Sequence, residues 1–218
     1  MPKINIAGNS GAARECYWIL RDLAESSPGL KDYYIFNGFY SWRGYPSNLK
    51  ELDKYFRGDA ESRNIVPGEV WVIGIGNPKL RKEVFQTLDG RGASFINLVH
   101  PWTSICHSAK IGRGNVFQRG STIYANASIG DGNYINGAVN VSHDAKIGDF
   151  NFLAPYSIIL GEARLGSLNW LAPHAVVMNR AKVGDGNLIG PNSSVFKGCG
   201  NNARLMGSPA MRVGTYNG

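Results

Sequence analysis

His143 is followed directly by Asp144, the only histidine–acid pair along the chain. An imidazole titrates near neutrality, so it can take up and return a proton at physiological pH. A neighbouring carboxylate can fix its tautomer and stabilise the imidazolium, although adjacency alone does not bring that carboxylate to the ring. The remaining histidines are His100, His107 and His174. Cys16, Cys106 and Cys199 are an odd, widely spaced set without a CxxC pair. That pattern disfavours a cysteine-built zinc site and fits free thiols in a reducing cytoplasm. Two turns of small residues offer backbone N–H groups to a phosphate: Gly8-Asn9-Ser10-Gly11-Ala12-Ala13 and Gly74-Ile75-Gly76-Asn77. The first is G-x-x-G, not the G-x-G-x-x-G fingerprint, and the next strand ends in Asn37 where an adenosine ribose would need an acid. A nicotinamide cofactor is therefore disfavoured, and the glycines read equally as a ligand site or as plain tight turns.

Strands and helices must hold these turns. Lys3–Ala7 reads as a short strand, and Arg14–Ala24 carries Tyr17, Leu20 and Ala24 at helical spacing. Tyr33–Asn37 is a second strand, and Ser47-Asn48 can cap a helix holding Leu49, Leu52, Tyr55 and Phe56. Glu69–Ile75 is a near-continuous apolar run, as a strand buried on both faces requires. Asn77-Pro78 opens another helix to about Leu88, and Ser94–Val99 is a last strand. This βαβ order predicts a small, parallel, Rossmann-like α/β sheet that binds ligands at the carboxyl ends of its strands.

The second half obeys a different period. Every sixth residue from Ile105 to Val195 is large and apolar, through Ile123, Val141, Ile159 and Val177, sixteen positions without an insertion. Two places before these, Ala recurs at 109, 127, 145, 163 and 181, and Asn at 115, 133, 151, 169 and 187. Six residues per edge and eighteen per turn describe a triangular solenoid, with one large and one small side chain pointing inward from each short strand. Stacked coils then set asparagine on asparagine as an internal ladder. Tight corners account for Gly130-Asp131-Gly132 and Gly184-Asp185-Gly186, and for much of the unusual total of 28 glycines. At strand spacing the repeat makes about five coils, a prism roughly 25 Å tall.

Composition narrows the function. The chain of 218 residues is 43% hydrophobic and only 18% charged, which excludes a disordered, charge-rich tail. No apolar run approaches the roughly 18 residues that span a bilayer, and the N-terminus lacks the apolar core of a signal peptide. Residues 1–99 hold 13 Lys and Arg against 11 Asp and Glu; residues 100–218 hold 10 against 5. A basic, charge-sparse second half suits an anionic partner. Without a Lys/Arg cluster, a phosphorylated small molecule fits better than nucleic acid.

The repeat resembles that of the hexapeptide-repeat acyltransferases, which fold as a left-handed parallel β-helix. The resemblance runs over almost the whole chain. It is carried by Gly8–Glu15, by Ile73-Gly74-Ile75-Gly76-Asn77-Pro78-Lys79-Leu80-Arg81, by Leu98-Val99-His100-Pro101, by Ser142-His143-Asp144-Ala145-Lys146-Ile147-Gly148-Asp149-Phe150 and by Gly207-Ser208-Pro209-Ala210. It is closest to the subfamily of sialic acid O-acetyltransferases and N-acetyltransferases of nucleotide-linked 4-amino-4,6-dideoxy sugars. That resemblance implies a nucleotide-sugar domain over residues 1–99 and an acetyl-CoA-binding β-helix over residues 100–218. It also implies a cytoplasmic homotrimer working in glycan or lipopolysaccharide biosynthesis, with acetyl-CoA in the groove between adjacent helices and no metal. The γ-type carbonic anhydrases share the solenoid, but their zinc histidines include a pair five apart; here the gaps are 7, 36 and 31.

By the same resemblance His143 is the general base and Asp144 its partner, in direct acetyl transfer to an amine. Backbone around Gly161 is the candidate for stabilising the oxyanion. Phe152, Pro173 and Pro191 stand where acetyl-CoA is lined, and Ser10, Gly11, Ala12, Asn37, Gly76 and Asn77 where the nucleotide sugar is held. The chain departs from the pattern at Ala12, in place of a histidine, at Asn37-Gly38, in place of paired acids, and at Phe152, where some members use a histidine. The segment Gly38–Tyr45 either offers aromatics and Arg43 to a base and diphosphate or packs on itself. The alternatives are a sugar O-acetyltransferase using the same machinery and a non-catalytic sugar-nucleotide-binding protein.

Overall fold

The computed structural model describes residues 2–26 and 34–217. Five parallel strands, β1 (Lys3–Ala7), β2 (Ile35–Ser41), β3 (Phe56–Asp59), β4 (Glu69–Ile73) and β5 (Ser94–Phe95), lie in the order β3-β2-β1-β4-β5. Helices α1 (Gly11–Ser26) and α2 (Pro78–Gly90) follow β1 and β4. Asn77 caps α2, accepting the Leu80 N–H at 3.0 Å, with Pro78 in the first turn as expected.

Three sequence expectations shift. Tyr33 lies outside the described residues, and β2 continues four residues past Asn37, because the step from Ile4/Phe36 to Asn5/Gly38 is a bulge and not a strand end. The helix expected after Ser47-Asn48 is one stretch of 3-10 helix, Lys50–Tyr55, and Phe56 begins β3 instead. Ser94–Val99 divides: β5 joins the first sheet, whereas Leu98–Val99 pairs with Val116–Phe117 of the solenoid.

From Leu98 onward the chain winds as a triangular parallel β-helix whose two-residue strands stack 18 residues apart into three sheets. The inward residues, among them Ile123, Val141, Ile147, Leu165 and Val177, form one continuous core. The asparagine ladder is present. The side-chain oxygen of Asn133 takes the backbone N–H and the side-chain N–H of Asn151, at 2.8 and 3.0 Å, and the pattern repeats through Asn187. Each asparagine is fully buried and thereby satisfied.

Corner chemistry differs from expectation. Non-glycine residues supply most of the left-handed turn positions, among them Asp144 (φ 58°), Tyr156 (φ 61°) and Leu168 (φ 61°). Gly132 and Gly186 are left-handed, but Gly130 and Gly184 are not. Gly130 is glycine because a Cβ there would lie 2.1 Å from Asp149 Oδ1 on the next coil. Those acids are used as rungs: Asp149 Oδ1 accepts the Asp131 N–H at 2.8 Å, and Asp185 Oδ1 accepts the Ser167 N–H at 2.7 Å.

The outward residues make the three faces unlike one another. The covered face carries Val116, Tyr134, Phe152 and Trp170 and packs under the α/β layer, where Val116 and Tyr134 join a core with α1. The neutral face shows Ile158, Leu160, Val176, Met178 and Phe196 beside Ser, Thr, Asn, Cys and Tyr, and no charge. The basic face stacks Lys146, Arg164 and Lys182 in register, all exposed, beside a row of glycines.

Candidate active site

His143 and Asp144 occupy the corner between the neutral and basic faces. The left-handed turn at Asp144 folds its carboxylate back, so that Oδ2 lies 2.9 Å from His143 Nδ1. Asn126, one coil earlier, donates to Asp144 Oδ1 at 3.3 Å. These two hydrogen bonds, that from His143 foremost, hold the Asp144 carboxyl below its usual range. A carboxylate on Nδ1 leaves Nε2 as the free nitrogen. The ring lies over Gly161 of the next coil, where a Cβ would stand 2.8 Å from Nε2. Only glycine leaves room for the imidazole, and among the described residues no acceptor meets the Gly161 N–H. The Asn179 amide borders the same space, its Nδ2 3.3 Å from that Cβ position. An exposed base and N–H donors therefore converge at one corner, and Glu162 and Arg180 close the column with an ion pair at 2.9 Å.

A second histidine–acid pair exists that adjacency could not reveal. His100 Nε2 lies 2.9 Å from Asp22 Oδ2, 78 positions away, and its Nδ1 accepts the Trp102 N–H at 3.0 Å. Both ring nitrogens are committed and the ring is buried, so this pair fastens α1 to the solenoid and has no nitrogen left for a proton in transit.

The small-residue turns meet where the strand order reverses, between β1 and β4. A Cβ on Gly8 would lie 2.3 Å from the Gly74 carbonyl oxygen, so the two turns touch backbone to backbone. Ser10 precedes α1 and accepts the Arg14 N–H at 3.1 Å; Gly11 opens the helix with nothing nearer its Cβ position than Arg14 Nη2 at 3.9 Å. The Tyr134 hydroxyl lies 3.0 Å from Glu15 Oε2 and 3.3 Å from the Ala12 carbonyl oxygen, both near the start of α1. Gly76 lies against Phe152, whose ring would be 3.5 Å from a Cβ there. Ser10, Gly11, Ala12, Gly76 and Asn77 thus lie on the two turns that touch at this switch point, here called the crevice. Asn37 does not: it sits within β2, donating to Asn5 Oδ1 at 2.7 Å, because the strand runs on to Ser41. Of the Gly38–Tyr45 segment, residues 38–41 belong to β2 and Tyr40 and Trp42 are buried, whereas Arg43 and Tyr45 stay exposed, Arg43 paired with Glu83.

Phe152 stacks between Tyr134 and Trp170, with ring centroids 5.6 and 4.3 Å away, on the covered face. Pro173 and Pro191 are exposed at the corner between the covered and neutral faces. Within one chain neither proline meets Phe152 or His143; the neutral face separates them from the histidine. No three His, Cys, Asp or Glu side chains converge on a metal position among the described residues, and no helix there is long and apolar enough to cross a membrane.

PerB from Caulobacter crescentus, solved with CoA and GDP-perosamine, superposes with a TM-score of 0.85 over 98% of both chains at 22% identity. The acetyltransferase domain of PglB from Neisseria gonorrhoeae FA1090 gives 0.81 over 98% of this chain and 100% of that one, at 19% identity. The chain therefore shares the fold of these two proteins over its whole described length. Its solenoid is the left-handed parallel β-helix, as expected. The UDP-N-acetylbacillosamine N-acetyltransferase of Bacillus subtilis (strain 168) is 26% identical over 124 residues, 53% of this chain. The chain matches about half, 51%, of that relative's length. No family model matches the chain.

The sequence reading missed Arg81, Tyr134 and Asn179. Arg81 sits inside the matched run, but among Leu80, Val84 and Phe85 nothing marks an arginine as buried. Asn179 lies 36 residues past His143, two coils on, and the repeat alone could have brought it forward.

Proposed function

We propose that the protein is an acetyl-CoA-dependent N-acetyltransferase acting on the amino group of a nucleotide-linked 4-amino-4,6-dideoxy sugar. Residues 1–99 hold the nucleotide in the β1/β4 crevice, and residues 100–218 hold the thioester. The reading rests foremost on the His143 ring, with Nδ1 engaged by Asp144 and Nε2 free over Gly161. It occurs in a fold shared with an acetyltransferase domain and with a protein solved with CoA and GDP-perosamine.

In the proposed reaction the acceptor amine attacks the thioester carbonyl carbon, and His143 Nε2 takes the amine proton. The tetrahedral oxyanion accepts the Gly161 N–H. Collapse breaks the carbon–sulfur bond, the new amide remains on the sugar, and the imidazolium returns its proton to the departing thiolate. Asp144 stabilises the imidazolium between these steps. The basic face suits the phosphates of CoA. Acetyl-CoA supply makes the cytoplasm the expected compartment.

The faces support a trimer. One chain sets its crevice on the covered face and His143 at the opposite corner, so a single copy cannot bring acceptor and base together. Three copies packed by their charge-free neutral faces around an axis parallel to the solenoid would set the His143 corner of one against the Pro173–Pro191 edge of the next. Rotation about that axis keeps the coils level. Light scattering is expected to give three times 23.7 kDa; a clean monomer at micromolar concentration would sink this arrangement. The activity is tested by thiol release from acetyl-CoA with a panel of nucleotide-linked amino sugars and their hydroxyl counterparts. Release with amines and not with hydroxyls is the expected result.

A further inference from the structure

Arg81 is fully buried between the α/β layer and the solenoid. A guanidinium has five N–H bonds, and here all five find backbone carbonyls. Nε donates to Gly132 at 2.7 Å; Nη1 to Ile75 at 2.6 and Gly76 at 2.9 Å; Nη2 to Phe150 at 3.1 and Asn151 at 2.8 Å. No carboxylate pairs with it among the described residues. Burial pushes its pKa down to about 9, so it stays charged at neutral pH. A buried, unpaired cation is a costly fastener, and an apolar side chain would join two layers as well. What only the rigid five-donor fork does is fix the direction of five carbonyls at once.

Two of those carbonyls belong to the crevice. In a trans peptide the N–H points away from its C=O. With the Ile75 and Gly76 carbonyls drawn to the guanidinium, the N–H groups of Gly76 and Asn77 are turned away from it. Neither has an acceptor among the described residues, and the Asn77 side chain is already committed to capping α2. The other three carbonyls lie in the coils on either side of His143 in sequence.

We propose that Arg81 is a positioning residue for the acceptor. It aims the Gly76 and Asn77 N–H groups at an oxygen of the nucleotide diphosphate and holds them at a fixed height beside the catalytic coil. The proposal rests on reading the crevice as the nucleotide-sugar site.

UDP and GDP serve as probes, with binding measured by calorimetry alongside steady-state kinetics. Arg81→Lys keeps the charge and loses the fork. It is expected to weaken nucleoside diphosphate binding about 10–100-fold, the scale of a lost hydrogen bond to a charged group. Acceptor KM should rise by a like factor, with kcat within about 3-fold of wild type and CoA affinity unchanged. Phe85→Leu loosens the same interface, where Phe85 stands 5.3 Å from Phe150, and should bind the probe as wild type does. Equal weakening in both variants, or wild-type binding in Arg81→Lys, overturns the proposal. Should Arg81→Lys fail to fold, Asn77 decides. Its φ of −64° already suits proline, so Asn77→Pro deletes one N–H and should bind at least about tenfold more weakly than Asn77→Ala, which shares the loss of the cap. Equal binding by these two overturns the proposal. A wild-type protein that binds neither UDP nor GDP overturns the crevice reading itself, and the proposal with it.

Discussion

At the His143 corner the polar atoms that face solvent belong to side chains: an imidazole, two carboxylates, an amide and a guanidinium. At the crevice between β1 and β4 they belong mostly to the backbone, between glycines packed so closely that Gly8 and Gly74 leave no space for a Cβ. The two regions should therefore fail in opposite ways. The corner should fail when a side chain is removed, and the crevice when one is added.

The largest effect is expected at the corner. His143→Ala should lower turnover about 10²–10⁴-fold, the usual share of general-base catalysis. Its side chain is 60% exposed, so melting temperature and acetyl-CoA affinity should barely move. Wild-type turnover would remove the corner from the chemistry and break the contrast at once. Next comes the scaffold that carries the corner. Ile147 is 4% exposed and stacked between Ile129 and Leu165, so Ile147→Asp should cost several kcal/mol of stability in a denaturation curve. The adjacent, outward Lys146 should tolerate Lys146→Asp within about 0.5 kcal/mol. Equal damage from both would contradict the alternation of inward and outward residues.

At the crevice, Gly11→Val should raise acceptor KM about tenfold or more and leave CoA dissociation unchanged, a shift of about 1.4 kcal/mol. Gly11 has no left-handed φ and an open Cβ position, so backbone strain does not confound the result. A well-folded Gly11→Val that loses CoA and keeps the acceptor would reverse the two assignments. The smallest effect on turnover is expected at the other histidine–aspartate pair. His100→Ala should change kcat by less than about 3-fold while lowering stability by roughly 1–3 kcal/mol, because it leaves the Trp102 N–H without its acceptor. A turnover loss like that of His143→Ala would show that the two pairs are not distinguished by their free nitrogen.

The same contrast governs what the sequence made legible. A six-residue register shows in residue type, so Ile123, Val141 and Asn151 were placed in the core correctly, and an adjacent His143-Asp144 pair announces itself. Backbone conformation shows far less. Asn37-Gly38 has the composition of a turn but forms a bulge inside β2, since β1 and β3 anchor the strand beyond it. Gly130 reads as a flexible corner but is excluded from carrying a Cβ by Asp149 of the next coil, a contact that exists only once coils stack. His100–Asp22 and the five carbonyls of Arg81 join positions up to 78 residues apart, and no local pattern encodes them. The neutral face was hidden for a simpler reason: its residues alternate in sequence with those of the two other faces.

A solenoid of stacked coils has two open ends, and each is a row of strand edges ready to accept another coil. Here the last coil does not stay open. After Ala203–Met206 the chain reverses, and Met211–Thr215 pairs antiparallel along it. The reversal also reaches the neighbouring face, where the Gly207 carbonyl accepts the Ser194 N–H at 3.0 Å and the Ala210 N–H donates to the Ser194 carbonyl at 2.8 Å. An antiparallel strand cannot continue the register of a parallel one. On this sheet the prism therefore ends in a hairpin, and the edge it presents to a second prism runs against the direction of the coils, which disfavours growth end to end.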